Sequence, residues 1–223
     1  MSALSERLER VRAAIADAAH ATGRDPSLIT TVVVTKFQPI ELIRELADLG
    51  VADVGENRHQ EAQAKARELA GLHLRWHFVG QLQSKKARQV RAYATAIHSI
   101  DRDSLVDALR SDEADVDGFI QVNLTDDPGR GGVAPRELDA LAERVLATPG
   151  IRLLGLMAVA PLGEPVRPAF ARVRELSERL RASAPEATAL SMGMSHDFRD
   201  AIMEGATHLR IGTAITGDRP PAG

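Results

Sequence analysis

Hydrophobic positions along the chain alternate between two periods. Leu4, Leu8, Val11 and Ile15 are spaced four, three and four residues apart, which is one stripe of an amphipathic helix. Gly23 and Asp25-Pro26 break that pattern. The β-branched run from Ile29 to Thr35 follows, ends in Lys36 and is closed by Pro39, as expected of a strand buried on both faces. Pro39 opens a helix with Ile40, Ile43 and Ala47 on one face, stopped by Gly50, in keeping with proline at helix starts and glycine past their ends. A short strand over Val51–Val54 runs into Gly55-Glu56-Asn57, with Asn57 expected to cap the next helix and Gln60 as its reciprocal partner.

From Leu72 to Val79 the residues alternate strictly. Leu74, Trp76 and Phe78 are expected on one face, with His73, Arg75, His77 and Val79 on a more polar one. Further strands are expected over Thr95–Ile100, Phe119–Leu124, Ile151–Met157, Ala187–Met192 and Thr207–Ile211. Helices separate them: one started by Ser84, one capped by Asp101, one over Pro135–Ala147, one carrying Phe170, Val173, Leu176 and Leu180, and one after Ser195. Eight strand-then-helix units without a compositional break predict a single (β/α)8 TIM-type barrel over residues 1–223, preceded by an extra helix. A doubly wound open sheet is the alternative.

Composition narrows the function. The 223 residues are 44% hydrophobic but only 3% aromatic, so the core is built of Leu, Val, Ile and Ala. A formal charge of -3 argues against a dedicated nucleic-acid or anionic-membrane binder. The absence of cysteine excludes disulfides and thiolate metal sites. Charged residues interrupt the apolar positions of the N-terminus, unlike a signal peptide or membrane span. A cytoplasmic protein is expected.

In such a barrel, chemistry sits where strands end and helices begin. Lys36 lies at that point of the first strand. Enclosed there, its amine would lose proton affinity and could attack a carbonyl to form a Schiff base; the alternative is a side chain that snorkels into solvent. The seventh strand ends in Ser191-Met192-Gly193-Met194-Ser195, with Ser195 expected as a helix cap, and the eighth in Leu209-Arg210-Ile211-Gly212-Thr213. Two adjacent helix starts rich in glycine and hydroxyls offer an anion site. Together with the lysine they favour a ligand that carries both a phosphate and a carbonyl.

Several stretches match one family in order along nearly the whole chain. They are Val34-Thr35-Lys36, Gly55-Glu56-Asn57, Trp76-His77-Phe78-Val79-Gly80, Leu82-Gln83-Ser84, Gly155-Leu156-Met157-Ala158, Ser191-Met192-Gly193-Met194-Ser195 and Arg210-Ile211-Gly212-Thr213-Ala214-Ile215. The sequence resembles the pyridoxal phosphate homeostasis proteins (YggS/PROSC), single-domain relatives of the alanine racemase barrel. The resemblance implies pyridoxal phosphate held as a Schiff base on Lys36. Ser195, Gly212, Thr213 and the backbone at Met194 would hold the phosphate, Arg210 would face the pyridine nitrogen, and Asn57 would lie near the ring. A cation at Arg210 would disfavour protonation of that nitrogen, leaving a poorer electron sink. The chain departs from the family pattern at Lys85, at His196, and at Arg130 and Gly132.

The resemblance also implies storage, buffering or delivery of the cofactor in place of turnover. Racemase relatives need a tyrosine base from a further C-terminal domain. This chain ends at Gly223, and its only tyrosine, Tyr93, is expected at the far edge of the barrel in a structural role. Apo-enzymes that need pyridoxal phosphate are the expected recipients, and a monomer is expected. The alternatives are a weak amino-acid racemase with Lys36 as its only base, and a Schiff-base aldolase acting on a sugar phosphate. His73 and His77 share a predicted strand face but lack a third metal ligand. Lys85, Lys86, Arg88 and Arg91 read as a solvated helix face. The loop Asp127–Gly132 lacks the ending of a P-loop and is expected to form a flap over the barrel mouth.

Overall fold

Strands that are apolar on one face and mixed on the other can bury both by curling on themselves inside a ring of helices. The computed structural model, which describes residues 2–218, does this. Its strands are β1 Thr30–Val34, β2 Asp53–Glu56, β3 Arg75–Phe78, β4 Ala96–Ile100, β5 Val116–Gln121, β6 Ile151–Met157, β7 Ala189–Ser191 and β8 His208–Ile211. They close in sequence order, each parallel to its neighbours. Closure rules out the open sheet.

The helices are α1 Ala3–Ala21, α2 Ile40–Asp48, α3 His59–Glu68, α4 Ala87–Arg91, α5 Asp103–Leu109, α6 Leu138–Leu146, α7 Val166–Leu180, α8 Phe198–Met203 and α9 Thr213–Thr216. The last is a single turn, too short to cover the seam between β8 and β1. Helix α1, the extra N-terminal helix, packs on α8 and α9. It buries Leu4, Leu8, Val11 and Ile15, the stripe expected from their spacing. Arg7 Nε donates to the Ile215 carbonyl at 2.7 Å, satisfying one of the acceptors that a helix end leaves open.

Between strands and helices lies an apolar layer containing Val33, Val54, Trp76, Phe78, Ile97 and Leu209. The barrel interior is different: His77, His98, Phe119 and His208 contact one another there, ring to ring. The alternation read in the third strand is therefore correct, with Trp76 and Phe78 outward and His77 inward.

Some boundaries move. Strand β3 starts only at Arg75, because Ala70–Leu72 winds a 3-10 turn and His73 adopts a left-handed backbone with φ 50°. His73 is exposed and lies outside the strand, so it does not share a face with His77. Strand β2 runs two residues later than expected and takes in Gly55 and Glu56. Strand β5 begins three residues early, at Val116. Asp117 is drawn in by Arg152 Nε at 2.6 Å. Gly118 fits because a side chain there would meet Ile100 at 2.8 Å and Ile151 at 2.9 Å. Beyond Gln121 the chain leaves the sheet, and Val122 bridges to Val133. The 125–132 loop folds on itself: Asn123 Oδ1 accepts from the Thr125 N–H (2.9 Å), and Asp127 Oδ1 accepts from the Gly129 N–H (2.8 Å).

Candidate functional site

The mouth formed by the C-terminal strand ends gathers most of the residues singled out from the sequence. Lys36 stands two residues beyond β1, in alternate step with Val32 and Val34. Those two valines border Gly55 of the adjacent strand β2, 3.0 and 3.4 Å from where its Cβ would lie. Lys36 is exposed, not enclosed as expected; the protein alone does not bury this amine. The turn that carries it is unusual. Phe37 holds φ at 65°, a left-handed conformation that costs a non-glycine residue about 1–2 kcal/mol. Arg58 lies over the Phe37 ring, 4.7 Å from its centroid.

Arg210 occupies the inward face of β8, level with Val32 of β1. It is 5% exposed. Its NH1 donates to the Ser191 carbonyl (2.6 Å) and Ser191 Oγ (2.7 Å), and NH2 donates to the Ala158 carbonyl (2.9 Å). Burial pushes its pKa down to about 10, against the pull of Asp197, so it is a cation at neutral pH. Of the five N–H groups of a guanidinium, these contacts use three, which leaves two donors for a ligand.

A polar chain extends from Arg210 through the barrel. His98 Nδ1 lies 2.8 Å from Ser191 Oγ, His98 Nε2 lies 2.9 Å from His77 Nδ1, and His77 Nε2 lies 2.9 Å from Asp53 Oδ1. Arginine can only donate and a carboxylate can only accept. At its two ends, therefore, Arg210 donates to Ser191 Oγ and His77 donates to Asp53. Burial drives the His98 pKa well below its ordinary value, and the neighbouring His77 and Arg210 add to this. Burial likewise pushes His208 down to about 4. At Asp53 burial pushes upward, but hydrogen bonds from His77 and Arg75 outweigh it and bring the carboxyl to about 2.

On the β7–β8 side, Ser195 is not the cap of its own helix. Helix α8 starts later, after Asp197, and Ser195 Oγ instead accepts from the Ala214 N–H at 3.3 Å and from Thr213 Oγ1 at 3.4 Å. The hydroxyl thus joins the loop after β7 to the start of α9, with Gly212 as the residue preceding that helix. The Met194 N–H donates to Asp197 Oδ1, so this backbone group is already engaged. Asn57 caps nothing either: α3 begins after Arg58 and has no side-chain cap. Its Oδ1 is buried without a hydrogen-bond partner among the described residues, and Gly80 packs so tightly against it that a Cβ would lie 2.3 Å from the Asn57 carbonyl oxygen. Asp101 is likewise not a cap; it pairs with Arg102 ahead of α5.

The residues present suit pyridoxal phosphate. An amine stands at the rim, and the buried guanidinium of Arg210 keeps two donors unused. An orphaned amide oxygen sits at Asn57, and a hydroxyl pair lies beside a helix start. Sequence reasoning missed the chain Asp53–His77–His98–Ser191 behind Arg210, whose members come from four strands. It also missed Lys65 and Glu61, which hold the lysine turn.

Fold and mouth together define the class: a (β/α)8 barrel of the alanine racemase N-terminal type, whose family model matches residues 8–220. The pyridoxal phosphate homeostasis protein of Pseudomonas aeruginosa is 42% identical over 226 residues, covering 98% of this chain and 97% of its own. That of Aquifex aeolicus is 40% identical, covering 96% and 97%. The chain belongs to the pyridoxal phosphate homeostasis protein family. Among solved structures, PipY of Synechococcus elongatus with PLP bound superposes with a TM-score of 0.83 at 34% identity, over 96% of this chain and 100% of that one. Alanine racemase from Corynebacterium glutamicum shares the fold, with a TM-score of 0.73 at 17% identity over 97% of this chain and 63% of its own.

Proposed function

We propose that this protein holds pyridoxal phosphate on Lys36 and serves its homeostasis by storing, buffering or handing over the cofactor, without turning over a substrate. The observation that carries this reading is the PLP-bound state of PipY, a relative whose barrel this chain matches from end to end. When bound, the cofactor supplies an aldehyde that an amine can capture as a Schiff base. Lys36 would be that amine. Arg210 would offer one of its remaining donors to the ring nitrogen, and Asn57 would flank the ring. Ser195, Gly212, Thr213 and the Met194 backbone would receive the phosphate, Met194 by sharing its N–H with Asp197.

Retention without turnover is supported by Arg210. Its positive charge touches only neutral acceptors, so it keeps a proton off a ring nitrogen beside it and weakens the electron withdrawal that carbanion chemistry needs. Tyr93 supports the same reading. It stacks on His59 with ring centroids 6.0 Å apart, and burial raises its pKa, with Glu56 adding to the shift. Such a phenol is a poor candidate for a second base. The described residues form one closed barrel, in line with a single cofactor-binding domain. No helix among them is long and apolar enough to cross a membrane. A cytoplasmic monomer that passes the cofactor to apo-enzymes completes the proposal.

The test is the visible absorption of the purified protein mixed with pyridoxal phosphate. Lys36→Ala should abolish the band, and the wild-type protein should restore activity to an apo-enzyme that lacks the cofactor. A band that survives Lys36→Ala overturns the assignment, and rapid turnover of an amino acid would replace the carrier by a racemase.

A further inference from the structure

The turn that presents Lys36 is gripped from behind by a buried ionic cluster. Lys65 on α3 is 6% exposed at its side chain, and Glu56 on β2 is 1% exposed. Lys65 Nζ donates to the Thr35 carbonyl at 2.9 Å, to Glu56 Oε1 at 2.8 Å and to Glu61 Oε1 at 2.7 Å. Glu61 Oε1 also accepts from the backbone N–H of Phe37 at 2.7 Å. Thr35 Oγ1 donates to Glu56 Oε1 at 2.7 Å.

These contacts have a specific geometry. The Thr35 carbonyl belongs to the peptide unit before Lys36, and the Phe37 N–H belongs to the unit after it. The two planes that fix the Lys36 backbone are therefore both held by one cluster, through charge-assisted bonds of the stronger kind. The left-handed Phe37 that follows needs such a grip, since strain of this sort persists only where the surroundings over-determine it and gathers at functional sites. Glu61 and Lys65 are one turn apart on α3, so a single rigid element delivers both holds.

We propose that Glu61 and Lys65 are positioning residues that aim the Lys36 amine into the barrel mouth, so that an aldehyde held there meets it in reacting geometry. They touch no ligand themselves. The inference rests on the cofactor reading above but concerns a different part of the molecule from the anion-holding end.

Glu61→Ala is the informative variant, because it leaves the buried Lys65–Glu56 pair intact while removing the tie to Phe37 and one of the two carboxylates that Lys65 contacts. Glu61→Gln keeps an acceptor oxygen for the same N–H. The full-length protein is titrated with pyridoxal phosphate and trapped with borohydride, and the share of label on Lys36 is read by peptide mass. Competition by inorganic phosphate reports the anion end separately. Glu61→Ala should weaken the Lys36-linked band by about tenfold or more, the scale expected when a reacting group is misaimed, with phosphate competition unchanged and a cooperative melting transition retained. Glu61→Gln should recover most of the loss. Wild-type affinity and labelling in Glu61→Ala would overturn the proposal, as would an equal loss of phosphate competition, which would signal general loosening. Failure of the underlying reading looks different: the wild-type protein itself would lack a band that depends on Lys36.

Discussion

Among the described residues the barrel buries two cations, Lys65 and Arg210, and treats them in opposite ways. Lys65 sits between the strands and α3 with all three ammonium protons committed, two of them to carboxylates. Arg210 sits inside the barrel and touches only carbonyls and a hydroxyl, with two donors unused. A buried charge paired in this manner is part of the framework. One left without a contacting counterion carries a desolvation cost that structure alone does not repay, and such groups mark functional sites. The contrast separates the charge that holds the lysine turn from the one proposed to meet a ligand.

The comparison is most exposed to failure at Lys65. Lys65→Met leaves Glu56 buried with its counterion gone and should destabilise the fold by about 3–5 kcal/mol, measured by urea denaturation. Replacing Glu56 by Gln in the same chain should restore much of that loss, because no unpaired charge is then buried. If Lys65→Met costs no more than a surface substitution, the cluster is not a framework element.

Acid should act on the interior next. His208 has a folded pKa of about 4, below the ordinary value near 6.5, so the unfolded chain binds the extra proton. Stability from this group is therefore complete above pH 6.5 and declines as pH falls toward 4, by about 2 kcal/mol at pH 5. His98, depressed by burial in the same direction, adds to the decline. Melting curves between pH 7 and 4 measure it; a flat profile would mean that the interior histidines bind protons as readily in the folded protein as in the unfolded chain.

Arg210→Gln should be gentler on the fold than Lys65→Met. It removes a desolvated charge along with its hydrogen bonds, so the net cost should stay below about 2 kcal/mol. Its expected signature is spectral: without the cation, bound pyridoxal phosphate should gain a protonation step in its visible absorption as pH is lowered. The smallest effect on stability belongs to Lys36→Ala, an exposed position, where a change within about 0.5 kcal/mol is expected even as the cofactor band disappears. A large loss of stability there would show that Lys36 has a structural role.

How much of this could be read beforehand depends on the distance over which each feature is determined. The β-branched run before Lys36, the alternation around Trp76 and His77, and the helical stripe of α1 all persist in the fold, because two-residue and 3.6-residue periods are local properties of the chain. Arg210 and Ser195 were visible as residues at strand ends. Their partners were not. Lys65, four residues after Glu61, reads as an ordinary surface pair on a helix, and nothing nearby indicates that both lie against the carbonyl of Thr35.

The sequence by itself determined the order of elements, the outward and inward faces of the strands, and the position of a lysine and an arginine at the ends of the first and last strands. The tertiary structure alone decided closure of the sheet, the polar chain from Arg210 to Asp53, the transfer of Ser195 to the start of α9, and the burial of Lys65. The division has a physical cause. Periodicity is set by backbone geometry over a few residues, whereas a buried charge acquires its partners only when strands distant in sequence are brought into register.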